Sequence, residues 1–218
     1  MFNETLSVAD ERQISSAQRE YTSTPSEYRI VPCDREDARR AEAEAFVSRR
    51  FLRTHGAHIS TFMPTLLLLT DAVGELAAVT GFRCAAQEPL FLERYLAVSI
   101  EQALTSQTAL HVQRAEIVEV GNFAALDSRR AKILMSFMPA YFLERSARWL
   151  AFTATASIRG MLTAMGGRCM EVGTADGARA AGGADEWGRY YSKDPRVMAG
   201  FLPSARRIPA LWRSHHGD

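Results

Sequence analysis

A carboxylate, a glycine and an amide side chain crowd into one short apolar stretch, Ile117-Val118-Glu119-Val120-Gly121-Asn122-Phe123-Ala124. The alternation has the period of a strand, and Val118, Val120 and Phe123 can feed a core. Glu119 and Asn122 are costly to bury without partners. Gly121, inside such a pattern, marks a bulge or a place where a ligand approaches the backbone. The stretch reads either as a half-buried strand whose Glu119 faces water or as the centre of a site. Upstream, Arg83 ends the apolar run Gly81-Phe82-Arg83, where it can clamp a carboxylate in bidentate fashion or pair with Glu88 or Glu93. Other chemistries find no footing. GxSxG, HExxH, P-loop and GxGxxG motifs are absent. His55 and His58 flank a turn, His215 and His216 sit in the tail, and the spacing gives no metal site.

The elements that must position these residues follow from periodicity. Residues 28–31 predict a short strand, and residues 34–53 a helix with Asp34 as N-cap and Ala41, Ala45 and Phe46 on its inner face. Residues 63–69 and 75–84 predict two strands joined by the turn Asp71-Ala72-Val73-Gly74, an antiparallel hairpin. A short helix capped by Ser99 over 99–107 precedes the Glu119 strand. A helix from 127 or 128 to about 146 follows, kinked by Pro139. Residues 149–154 predict a strand, 157–165 a helix ending at Gly166-Gly167, and 169–172 a short strand. Residues 174–185 predict a flexible loop. The strand–helix–strand crossover through Trp149 is right-handed, so those two strands are parallel. The sum is an α/β sandwich around a mixed sheet.

Composition bounds the partners. The 218 residues are 47% hydrophobic with a formal charge of +1, enough for a substantial core and no electrostatic case for nucleic acid. Cys33, Cys84 and Cys169 are far apart, which fits a reducing compartment rather than a disulfide framework. Asn3, Glu4, Asp10 and Glu11 interrupt any signal-peptide run, and the longest apolar run is far shorter than the roughly 20 residues a membrane span needs. A cytoplasmic protein is expected, with no integral membrane segment. It divides into a flexible tail over 1–27, one domain over 28–203 and a basic tail over 204–218.

The chain resembles the thermostable hemolysin family of bacterial proteins. The carrying segments are Phe62-Met63-Pro64, Gly81-Phe82-Arg83-Cys84-Ala85, Glu88-Pro89-Leu90-Phe91-Leu92-Glu93-Arg94-Tyr95-Leu96 and the Glu119 stretch. Phe152-Thr153-Ala154-Thr155, Trp187-Gly188-Arg189-Tyr190-Tyr191 and Asp194-Pro195-Arg196-Val197-Met198-Ala199-Gly200 complete it, in order, from about residue 50 to residue 200. That family is similar to GNAT-type acyltransferases and, more narrowly, to acyl-homoserine lactone synthases. The resemblance implies a GNAT-like mixed sheet flanked by helices. It also implies an N-acyltransferase that moves an acyl group from a pantetheine thioester to the amine of an amino acid or similar small acceptor. No tightly bound cofactor is implied; the donor is an acyl-phosphopantetheine thioester on acyl carrier protein or coenzyme A.

In such enzymes two parallel strands part around the pantetheine arm, which here makes 117–124 and 149–154 the pair. A bulge near Gly121 would free a backbone N–H for the thioester oxyanion, an effect of roughly 3–4 kcal/mol per donor. Glu119 would serve as the base for the attacking amine or else only pair with Arg83. Asn122 and Tyr190 join the catalytic candidates, with Tyr190 as a proton donor to the departing thiolate. Arg83, Glu88, Glu93, Phe152, Thr153, Thr155, Trp187 and Arg189 are the candidates for binding substrate. The sequence departs from coenzyme A-dependent relatives at Ala125-Leu126-Asp127-Ser128-Arg129-Arg130-Ala131, where a glycine-rich pyrophosphate loop would lie. Arg129, Arg130 and Lys132 could meet the single phosphate of a carrier arm, which favours acyl carrier protein as donor and partner. The basic face of Arg49, Arg50 and Arg53 is either solvated or binds phosphate or carrier. A membrane-active protein, as the family name suggests, and a non-catalytic acyl-carrier-binding module are the alternatives.

Overall fold

The computed structural model describes residues 21–23, 28–180 and 184–207. Most of the expected N-terminal tail and residues 208–218 of the basic tail lie outside them. Within the first tail, β1 (Tyr21–Ser23) pairs with β2 (Tyr28–Cys33). Helix α1 (Arg40–His55) follows, then β3 (Thr65–Asp71), β4 (Leu76–Cys84), α2 (Ile100–Thr108), β5 (Ile117–Ala125) and α3 (Ser128–Leu143). The chain continues through β6 (Trp149–Ala154), α4 (Ala156–Ala164), β7 (Cys169–Thr174) and β8 (Arg196–Phe201). The strands form one sheet in the order β1-β2-β3-β4-β5-β6-β8-β7. Among the described residues only β5 and β6 run parallel, joined by α3 as the crossover rule requires.

The run Leu66-Leu67-Leu68-Leu69 shows why the sheet is covered on both faces. Leu67 and Leu69 pack with Val118, Leu134, Phe137 and Phe142 beneath α3, while Leu66 and Leu68 pack with Ala43, Phe46 and Val47 of α1. All four are buried. Each is worth about 1.5–3 kcal/mol relative to exposure, so a strand with no polar face is stable only between two helical layers.

Three helix ends differ from expectation. Helix α1 begins at Arg40, because Asp37 accepts the Arg39 N–H and Asp34 accepts the Thr65 hydroxyl, which leaves residues 34–39 as a turn. The buried Arg40 guanidinium then donates to the carbonyls of Met63 and Pro64 and ties the helix start to the segment before β3. At α2, Ser99 makes no capping bond; Glu93 accepts the Ile100 N–H instead at 3.1 Å. Helix α3 runs through Pro139 and ends at Leu143, earlier than the predicted 146. The expected loop over 174–185 begins with a short 3-10 helix, Gly177–Arg179, opened by Asp176.

Candidate active site

The parallel pair β5 and β6 keeps register from Ile117–Trp149 to Val120–Phe152 and no further. Beyond that point each strand continues without the other, and a cleft of about 1160 Å³ opens between them. On the other side of β5 the ladder slips at the same level. Gly81 faces Gly121 and Val79 faces Ala124, so Thr80 alone opposes Asn122 and Phe123. This is a bulge. It lies one residue past Gly121, and it is Asn122 that takes the left-handed conformation, at φ 48°. The Thr80 hydroxyl donates to the Gly121 carbonyl at 3.2 Å, filling part of the broken ladder.

Asn122 spends its side chain on the chain that crosses the bulge. Its Oδ1 accepts the Met63 N–H at 2.8 Å and its Nδ2 donates to the Thr61 carbonyl at 3.2 Å. Met63 then lies over both glycines. A Cβ on Gly81 would stand 2.6 Å from Met63 Cβ, and one on Gly121 would stand 2.5 Å from Met63 Cε. The absence of side chains at Gly81 and Gly121 makes room for Met63, a tie the sequence did not reveal.

Glu119 is 3% exposed. Its Oε2 accepts the Phe91 N–H at 2.7 Å and its Oε1 the Leu92 N–H at 2.9 Å, and Arg83 Nε lies 3.4 Å from Oε2. Burial pushes its pKa up to about 7, against the pull of the two N–H groups and of Arg83 towards the carboxylate. A carboxylate has about four acceptor positions, so Oε1, with one bond, keeps a lone pair for a further donor. Arg83 also bonds Glu88 at 3.1 Å and the Pro89 carbonyl at 3.2 Å, and its Nε lies 3.0 Å from Met63 Sδ. Glu93 is fully engaged elsewhere, with Arg114 at 2.6 Å and with the Leu90 and Ile100 N–H groups. Glu119, Gly121, Asn122 and Arg83 all line the cleft; Glu88 and Glu93 do not.

The opposite wall is aromatic. The Tyr190 hydroxyl points at the Thr153 carbonyl, 3.4 Å away and longer than a good O–H···O bond, so the hydroxyl is not saturated. Burial, with Tyr191 beside it, raises the Tyr190 phenol above its ordinary range and keeps it protonated. Its ring sits 5.4 Å from Trp187 and 5.2 Å from His55. His55, expected to flank a turn, ends α1 and lines the cleft, and burial pulls its imidazole down to about 4. The Arg189 N–H donates to the His55 carbonyl, while the Arg189 side chain stays outside the cleft. Phe152 and Thr153 line the cleft on β6. Thr155 also lines it, not on the strand but at the start of α4, with its hydroxyl 3.1 Å from that of Ser157.

At one end of the cleft, Ser128 and Ala131 of α3 face inward, whereas Arg129, Arg130 and Lys132 do not line it. Arg130 is bound to Asp127, whose carboxylate also caps α3 by accepting the Arg130 N–H. The cation in the wall here is Arg50 of α1. Its Nη2 donates to the Leu126 carbonyl at 3.2 Å, and its buried Nε has no partner among the described residues. At the other end the lining turns apolar, with Met135 and Met138 of α3, Leu150, and Ile158, Met161 and Leu162 of α4.

The sequence profile of the thermostable hemolysin family matches residues 33–206, and the chain belongs to that family. No curated protein matches it in sequence. Among solved structures, FeeM, an N-acyl amino acid synthase from uncultured soil microbes, is similar at TM-score 0.58 and 16% identity over 84% of this chain and 96% of its own. The acyl-homoserine lactone synthase LasI is similar at 0.54 and 14%, over 81% and 91%. BjaI, a coenzyme A-dependent acyl-homoserine lactone synthase, gives 0.52 and 12%, over 80% and 81%. The fold is therefore the GNAT-like mixed sheet that acyl-homoserine lactone synthases share. Among the described residues no helix is long and apolar enough to cross a membrane.

Proposed function

We propose that this member of the thermostable hemolysin family is an N-acyltransferase that moves a long acyl chain from a carrier-bound thioester to a small amine. The observation that carries the reading is the parting of β5 from β6 after Val120 and Phe152, beside a bulge and above an apolar lobe. An extended thioester arm fits between separated parallel strands, where backbone groups freed from the ladder can bind it. The thioester carbonyl lies at the bulge, and an N–H of the Asn122–Phe123 pair stabilises its oxyanion. The acyl chain continues into the lobe lined by Met135, Met138, Met161 and Leu162.

The amine approaches from the aromatic side. Its nitrogen forms the C–N bond to the thioester carbon, and its proton passes to Glu119 through the free lone pair of Oε1. The C–S bond then breaks. Tyr190, held as a phenol, donates a hydrogen bond to the leaving thiolate, whose proton comes from Glu119 or solvent. Arg83 keeps Glu119 in place, with its Nε 3.4 Å from Oε2 and its Nη1 held by Glu88 and the Pro89 carbonyl. Arg50 meets the phosphate of the arm. The negative Asp127 cap on α3 and the lack of a glycine loop speak against a pyrophosphate there, and so for a carrier protein over coenzyme A.

The test is incubation of purified protein with acyl carrier protein thioesters of graded chain length and a mixture of amines, read by mass spectrometry. An amide product with release of free thiol is expected. Thioester binding without transfer from any donor would instead mark a non-catalytic carrier-binding module. Leakage of liposomes by the protein alone would favour direct membrane activity.

A further inference from the structure

Two bands of positive charge border the end of the cleft where Arg50 and Ser128 stand in the wall. One is the second half of α1, where Arg49, Leu52 and Arg53 are exposed; the other is the start of α3, where Leu126 just before the helix and Arg129 and Lys132 within it are exposed. The Arg50–Leu126 hydrogen bond joins them. The anions nearby are committed: Asp127 to Arg130 and the cap of α3, Glu42 to Arg39, and Glu44 to Arg40. Arg49, Arg53 and Lys132 form no ion pair among the described residues. The whole chain carries only +1, so this rim is a local segregation of charge rather than the spill of a basic protein. Leu52 and Leu126, each close to half exposed, give it an apolar centre.

We infer that the rim of Arg49, Leu52, Arg53, Leu126, Arg129 and Lys132 docks an acidic carrier protein whose phosphopantetheine arm enters the cleft past Arg50. The inference rests on the proposed acyl transfer. A donor tethered to a protein must bring that protein's surface against the rim of the cleft its arm enters, whereas a free pantetheine thioester brings nothing there. Opposite charge steers the encounter and fixes register, and the leucines supply the buried contact. Arg129 and Lys132, unsuited by position to a phosphate inside the cleft, are suited to a partner outside it.

The experiment compares one acyl group on acyl carrier protein and on free pantetheine, with wild type, the double variant Arg49→Glu/Arg53→Glu, and Lys132→Glu on the opposite band. For the carrier-bound donor, KM is expected to rise about tenfold or more in the double variant with kcat little changed. Wild-type KM for that donor should climb with salt, and this slope should flatten in the variants. With free pantetheine thioester all three proteins should agree, which also shows that the variants fold. Equal loss with both donors, or no loss with the carrier, overturns the docking surface. Transfer by wild type from free pantetheine but not from the carrier overturns it while leaving acyl transfer standing. Transfer from neither donor overturns both.

Discussion

Glu119 titrates in a setting where activity and stability respond to the same proton with opposite sign. As a base it must be ionised, so kcat/KM should rise with pH through about 7. Glu119→Gln should lose that limb and most of the activity, and a limb that survives in the variant would assign it to another group. For stability, a pKa raised from the ordinary carboxylate value means that the native state binds the proton more tightly than the unfolded chain. The contribution is full below about 4.5 and lost as pH rises through about 7. His55, pulled down to about 4 from 6.5, works the other way, and its contribution is lost as pH falls from 6.5 through 4. A single pH–stability curve mixes the two. Subtracting that of Glu119→Gln isolates the carboxylate, and the difference should shrink by on the order of 3 kcal/mol between pH 4.5 and 7.5 in urea titrations. A flat difference would mean that Glu119 does not titrate in this window.

Between elements, the fit of β4 and β5 under Met63 decides how firmly the bulge is held. Gly81→Ala sets its new methyl against Met63 Cβ and Cγ, atoms near the backbone that cannot move aside, and should cost about 1–3 kcal/mol. Gly121→Ala meets mainly the terminal Met63 Cε, which can turn away, so it should cost less. Met63→Ala in the same chain should restore Gly121→Ala far better than Gly81→Ala; denaturant midpoints of the singles and doubles decide. The strand pattern of 63–84, the Glu119 strand and the crossover to Trp149 were legible because period and turn residues are local properties. The partners were not. Nothing in the spacing says that the Asn122 amide holds Thr61 and Met63, that Glu93 replaces Ser99 as the cap of α2, or that Arg50 rather than Arg129 enters the cleft. The first and last are contacts across tens of residues, set by how the layers pack, and the cap depends on how the 91–95 turn folds back onto the start of α2. The bulge was legible only to within one residue, since a glycine signals either freedom of φ or close approach, and Gly121 supplies the second.

Over the whole molecule, the sheet divides two unequal interiors. The α3 face has a dense core, with Leu134, Phe137 and Phe142 fully buried, but α4 beside it contributes no fully buried residue. Its apolar face of Ile158, Met161 and Leu162 turns to the cleft instead. An apolar helix face left over a cavity forfeits burial that a ligand can restore, and methionines suit chains of varying shape. An acyl chain in the lobe would complete the packing of α4, so long-chain thioesters should raise the melting temperature of the wild-type protein more than short ones. Met161→Trp fills part of that space from within. If it denies the donor about four methylenes at about 0.8 kcal/mol each, the preference for long over short acyl donors should fall roughly two-hundredfold, with short-chain turnover retained. Competition between two chain lengths in one reaction, read as the product ratio, measures this directly. An unchanged ratio would place the acyl chain elsewhere and leave the loose packing of α4 without a ligand to explain it.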